Sequence, residues 1–90
     1  MHVESAKLTF YVPQAESLKD KRQVCRSLVE KTRRRFNASV AEVGTQDVHQ
    51  TLTIGVAVVS GEFSHANSML YELIRFMEAH ADADLIKAER

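Results

Sequence analysis

From Ala6 to Val12 apolar and polar residues alternate one by one, with Ala6, Leu8, Phe10 and Val12 on one side and Lys7, Thr9 and Tyr11 on the other. A period of two with aromatic and β-branched residues predicts a half-buried strand. Pro13 ends it, because proline offers no backbone donor to a ladder. The period then changes. Leu18, Cys25, Leu28, Val29, Thr32 and Phe36, with Val24 at the margin, fall on one stripe of a helix. Ser17 precedes that stripe as an N-cap, and Asp20 three residues later makes an acidic version of the capping box. The helix is predicted to end near Phe36, with Asn37 as a left-handed C-terminal cap.

Val40–Val43 predicts a short strand, and Gly44-Thr45-Gln46-Asp47 is turn chemistry. Thr51–Val59 predicts the clearest strand of the chain. Leu52, Ile54, Val56 and Val58 share one face; Thr51, Thr53, Gly55, Ala57 and Val59 share the other. Ser60-Gly61 closes it. A second helix is expected from Ser64 to about Ala81, burying Ala66, Leu70, Leu73, Ile74 and Met77, with Phe63 and Met69 on the flanks. Asp84–Ala88 is a last, weakly patterned strand. The order βαββαβ holds two split crossovers, which implies a four-stranded antiparallel sheet with both helices on one face. That is a ferredoxin-like layout in the α+β class, and residues 1–90 suffice for a single domain of this kind.

Composition narrows the class. A hydrophobic fraction of 44% suits a globular core rather than disorder. The longest apolar run, Val56–Val59, is far below the ~20 residues of a membrane helix. Residues Met1-His2-Val3-Glu4 lack the basic and apolar regions of a secretory signal, and one cysteine, Cys25, makes no internal disulfide. The expectation is a cytoplasmic protein with no membrane partner. His2, His49, His65 and His80 lack metal-ligand spacing, and Cys25 reads as a core residue. Ser39, Glu42 and His49 have no nucleophile elbow or oxyanion element around them, and no glycine-rich phosphate loop accompanies an arginine. No enzyme activity and no cofactor are therefore expected.

Charge changes the picture more than composition does. The net charge is zero, yet Lys19–Arg35 holds eight cations (Lys19, Lys21, Arg22, Arg26, Lys31, Arg33, Arg34, Arg35) against Asp20 and Glu30, a net +6 balanced by −6 elsewhere. At 100° per residue Lys19, Arg22, Arg26 and Arg33 lie within about 60° of one another and form a basic ridge. Arg34 and Arg35 add a cluster at the negative end of the helix dipole, where they also serve the helix itself. The ridge is a candidate for phosphates of RNA or a ribosome, with nothing to suggest DNA specificity; the alternatives are a solvated face or an acidic protein partner. Lys21 stands apart, on the stripe assigned to the core. It is expected to reach past the sheet end or to pair with Glu42 or Glu4, or else to offer an anion a cation beside the free amides of the helix start.

On the open sheet face only Tyr11 is aromatic, so base stacking on strand rings is disfavoured. Its small, half-apolar surface, represented by Tyr11, Thr53, Ala57 and Val59, is instead a candidate for self-association as a homodimer.

Three stretches carry a family resemblance: Ser17-Leu18-Lys19-Asp20-Lys21-Arg22, Arg34-Arg35-Phe36-Asn37-Ala38-Ser39-Val40-Ala41-Glu42 and Leu52-Thr53-Ile54-Gly55-Val56-Ala57-Val58-Val59-Ser60. Over nearly its whole length the chain resembles the YlxP-like family of small bacterial proteins of unknown function. The resemblance implies a ferredoxin-like fold, a bacterial cytoplasmic protein and an association with translation and ribosome-maturation genes. It brings no catalytic residues with it. His49 departs from the aromatic residue, typically Trp, of other members, so no role for a large ring is implied there.

Overall fold

The structure, a computed structural model, describes residues 1–90. Six elements follow one another: β1 (His2–Tyr11), α1 (Leu18–Arg35), β2 (Ser39–Gly44), β3 (Thr51–Ser60), α2 (Phe63–His80) and β4 (Asp84–Glu89). They form one four-stranded sheet in the order β2-β3-β1-β4, with every neighbouring pair antiparallel. Each helix therefore carries the chain over one intervening strand, and β2 and β4 are left as edges.

The apolar alternation of the central strands decides which side of the sheet the helices cover. Leu8, Phe10, Leu52 and Ile54 are fully buried, and so are Ala66, Leu70, Leu73 and Met77 from α2. The α1 stripe contributes Cys25, Leu28, Val29 and Thr32. Thr32 is tolerated inside because its hydroxyl donates to the Leu28 carbonyl at 2.7 Å, one turn back. Truncating any of the fully enclosed leucines to alanine belongs in the range of about 2–5 kcal/mol.

Two expectations need correction. First, β1 begins at His2 rather than Ala6, since the full ten residues pair with β3 from His2↔Ser60 to Tyr11↔Thr51. The strand is extended by its long neighbour, a pairing that local alternation in His2-Val3-Glu4-Ser5 does not announce. Second, Asn37 is not a left-handed cap. The helix stops because Phe36 turns extended (φ −126°, ψ 144°), its N–H still bonded to the Thr32 carbonyl. The Phe36 ring packs edge-on against Phe76 at 5.5 Å, and β2 starts three residues later without a reversal. The one non-glycine residue with positive φ is instead Thr45, at 54°, in the β2–β3 turn. At the other end of α1 the cap forms as expected: Asp20 N–H donates to Ser17 Oγ at 3.1 Å. The Asp20 carboxylate reaches back one residue further, to the Glu16 N–H at 3.0 Å.

Candidate functional site

Lys21 is the one fully buried cation of the chain, at 0% exposure. It leaves α1 on the core side and reaches the β2–β3 turn, where its ammonium donates to the Thr45 carbonyl at 2.5 Å and approaches the Gln46 carbonyl at 3.4 Å. Glu42 Oε2 lies 3.2 Å away and satisfies the charge. This oxygen takes no hydrogen bond of good geometry, so the pair is held by charge. Of the two carboxylates weighed from the sequence, Glu42 is the partner; Glu4 instead meets Arg90 at 3.2 Å. Lys21 is thereby taken out of the candidate anion-binding set, because its donors are directed into the protein.

The same turn is tied down from several sides. Thr45 Oγ1 donates its one hydrogen to the Gly44 carbonyl at 2.8 Å or the Thr51 carbonyl at 3.1 Å, and shares a hydroxyl–hydroxyl bond with Thr53 Oγ1 at 2.9 Å. Val12 N–H donates to the Gln50 carbonyl at 2.9 Å, joining this turn to the start of the β1–α1 loop. A β-branched residue with positive φ is strained, and these bonds with the buried ammonium hold it in place. Cys25 lies beside the pair. Burial pushes its thiol above the ordinary value of 9.0; the Glu42 charge adds to this and Lys21 opposes it.

The remaining cations of α1 divide according to what they touch. Arg33 Nη2 donates to the Val40 carbonyl at 2.6 Å, so this member of the ridge caps the free edge of β2. Arg34 pairs with Glu30 at 3.7 Å, and the Arg35 guanidinium stands 5.6 Å above the Phe76 ring. Lys19, Arg22, Arg26 and Lys31 are exposed and make no ion pair and no side-chain hydrogen bond within the chain. Lys31 was not part of the predicted ridge; it joins through the outward face, where Gln23, Arg26, Ser27, Glu30, Lys31 and Arg34 surround a shallow, wholly polar depression. Arg22 and Arg33 turn the other way and, with Arg26 between the two sides, line a cleft between α1 and β2 that also includes Cys25, Val29, Ala41 and Glu42.

On the open face of the sheet Tyr11, Ala57 and Val59 are placed as expected, but Thr53 is not available: it is 7% exposed. A bulge in β2 between Glu42 and Gly44 brings Gly44 and Thr45 over it. The bulge also lays Val43 across Gly55, where a Cβ would stand 2.9 Å from Val43 Cγ1. Glycine in the middle of an apolar strand was the signal for such a close approach. What stays open is a trough with Ser5, Lys7, Ser39, Ala41, Gly55, Ala57 and Glu89 on its walls, ending at the paired Val3 and Val59.

No three His, Cys, Asp or Glu side chains converge as metal ligands would, and no helix is long and apolar enough to cross a membrane. Ser60 Oγ and His65 Nδ1 meet at 2.9 Å, while the same hydroxyl accepts the Glu62 N–H at 3.2 Å, a contact that supports the start of α2.

The comparisons with known proteins agree with this architecture. A solution NMR structure of a de novo designed protein with a ferredoxin fold is similar over 96% of this chain and 82% of its own, with a TM-score of 0.60. At 14% identity that likeness concerns the fold. The uncharacterized protein YlxP of Bacillus subtilis (strain 168) is 30% identical over 70 residues, which are 78% of this chain and 76% of the relative. The family model DUF503, described as a protein of unknown function, matches residues 3–90. With the motifs on α1, β2 and β3 all inside that match, the chain belongs to the DUF503 family, to which the YlxP resemblance pointed.

Proposed function

We propose that this protein is a binding protein without catalytic activity of its own, and that α1 lies against the phosphates of a structured RNA. The observation that carries this reading is the set of unpaired cations along the exposed part of α1, Lys19, Arg26 and Lys31 toward the outward face and Arg22 beside β2. The nearest carboxylates are occupied: Asp20 in the helix cap and Glu30 with Arg34. An uncompensated row of this kind attracts a polyanion and gives up counterions when it binds. With four phosphate contacts, log affinity should fall by about 3 per tenfold rise in salt. The sheet takes no part, since its open face lacks a ring other than Tyr11.

A gel shift with a ribosomal RNA fragment tests the proposal. Replacing Lys19, Arg26 and Lys31 by Glu should abolish the shift, and an unchanged affinity would sink the idea. Arg33, Arg34 and Arg35 are poorer targets than the sequence implied, because each is engaged within the protein.

A second reading, a homodimer through the open face, is favoured by the trough over Gly55 and Ala57 beside the Val3–Val59 ridge. Two copies related by a two-fold axis would each set that ridge into the other's trough. Light scattering of the parent and of Ala57→Glu decides: a dimer that the substitution dissociates supports it, and a monomer in both removes it.

A further inference from the structure

We infer that the cleft between α1 and the edge strand β2 takes an extended acidic peptide segment, which adds to the sheet as a fifth strand. This is a second site on α1, which shares Arg22 and Arg26 with the cations proposed to meet RNA and leaves Lys19 and Lys31 outside it.

The inference starts from the backbone of β2. In an antiparallel ladder alternate residues turn both their N–H and C=O away from the neighbouring strand. The Val40 carbonyl points outward, because Arg33 reaches it from α1 rather than β3. By the same alternation both groups of Glu42 face the cleft, and the Val40 N–H turns to the same edge, where the residue is only 2% exposed and its carbonyl holds Arg33, so that an added strand must displace that guanidinium. Unpaired edge groups are a template for another strand, and strand addition is a common way of binding extended peptides. The other edge is guarded differently: β4 carries Asp84, Lys87 and Glu89 and a register shift at its centre. Ser39–Glu42 has no proline and no lysine.

Side chains then decide what kind of segment fits. Arg22 and Arg26 flank the cleft with free guanidiniums, and Arg33 can exchange its bond to Val40 for one to a ligand. The one carboxylate present, Glu42, is held by Lys21 on the inner side. Cys25 and Val29 floor the cleft with little exposure. A strand whose alternate side chains point toward α1 would set carboxylates against the arginines, while its backbone pairs with Val40 and Glu42. Nucleic acid could meet the same guanidiniums but has no strand backbone to match the edge, so the peptide is favoured. The bulge after Glu42 limits the pairing to Ser39–Glu42, which keeps the contact short.

The experiment is fluorescence anisotropy with a fluorescein-labelled peptide alternating Glu and Thr, beside the same peptide N-methylated at the residues whose amides would pair. The parent peptide should bind, N-methylation should weaken it at least about tenfold, and Arg22→Glu should do the same, a loss of about 1.4 kcal/mol. Lys31→Glu, on the outward face, should leave peptide binding unchanged while weakening RNA. Arg22 is exposed, so the variant's melting temperature serves as the check that it folds. Equal binding of the N-methylated peptide would reduce the contact to charge alone and overturn the proposal. So would absence of peptide binding, which leaves the helix reading to its own test by Lys31→Glu, or an RNA oligonucleotide occupying this cleft in its place, which would extend the RNA surface to Arg22 and Arg26.

Discussion

Replacing Lys21 by Met asks what the buried ammonium does for the fold. Methionine fills a similar volume, so the packing term stays small. What disappears is the bond to the Thr45 carbonyl, the approach to Gln46 and the countercharge of Glu42. Breaking a buried ion pair from one side costs about 3–5 kcal/mol. Glu42 keeps 22% of its side chain exposed and can draw in water, which places the expectation at the lower end, about 3 kcal/mol. For a domain of this length each kcal/mol moves the melting temperature by about 4–8 °C, so a fall of about 12–24 °C follows. Urea denaturation should show a lower midpoint with an unchanged slope. Amide exchange should rise in the Thr45–Gln50 turn before the strands are affected. Glu42→Gln is the companion variant. It takes the countercharge from a fully buried ammonium but leaves both carbonyls and an amide oxygen beside it, so it should cost less than Lys21→Met, about 2 kcal/mol. A Lys21→Met variant within about 1 kcal/mol of the parent would refute the structural role given to Lys21. Equal costs for the two variants would show that the ion pair, not the carbonyl bonds, carries the interaction.

Other consequences can be checked on the same protein. Ser17→Ala removes the acceptor for the Asp20 N–H and should cost about 1 kcal/mol, seen as a shifted urea midpoint. Gly55→Ala forces Val43 aside and should cost at least about 1 kcal/mol, with most of it recovered in the Gly55→Ala/Val43→Ala double variant; lack of recovery would count against the close contact. The Cys25 thiol, pushed up chiefly by burial and further by Glu42, should alkylate far more slowly than a free thiol at mildly alkaline pH. A folded-state value above the unfolded one means that the unfolded chain releases this proton first. The stabilisation is therefore complete below the ordinary thiol range and is lost as pH rises through it. Stability measured across that range should fall less steeply in Cys25→Ala than in the parent.

Much of this protein was legible in its sequence because the signals are local. The alternations in β1 and β3, the α1 stripe and the Ser17 cap each express a period or a short-range hydrogen bond that a few residues fully specify. The crossover order then leaves few topologies to choose from. The anomaly of Lys21 was local as well, since a cation on an apolar stripe must find a partner wherever the chain goes. What the tertiary structure alone decided is who the partners are. Glu42 and not Glu4 meets Lys21 because β2 lies beneath α1 while the start of β1 ends near Arg90. Thr53 is covered because a bulge moves the β2–β3 turn over it, and Thr45 takes the left-handed conformation that Asn37 was expected to need. The basic ridge, one feature on a helical wheel, is two in space. A wheel records direction around an axis and says nothing of the strand that packs beside it. That neighbour engages Arg33, turns Arg22 toward an unpaired edge, and leaves Lys19 and Lys31 to the solvent.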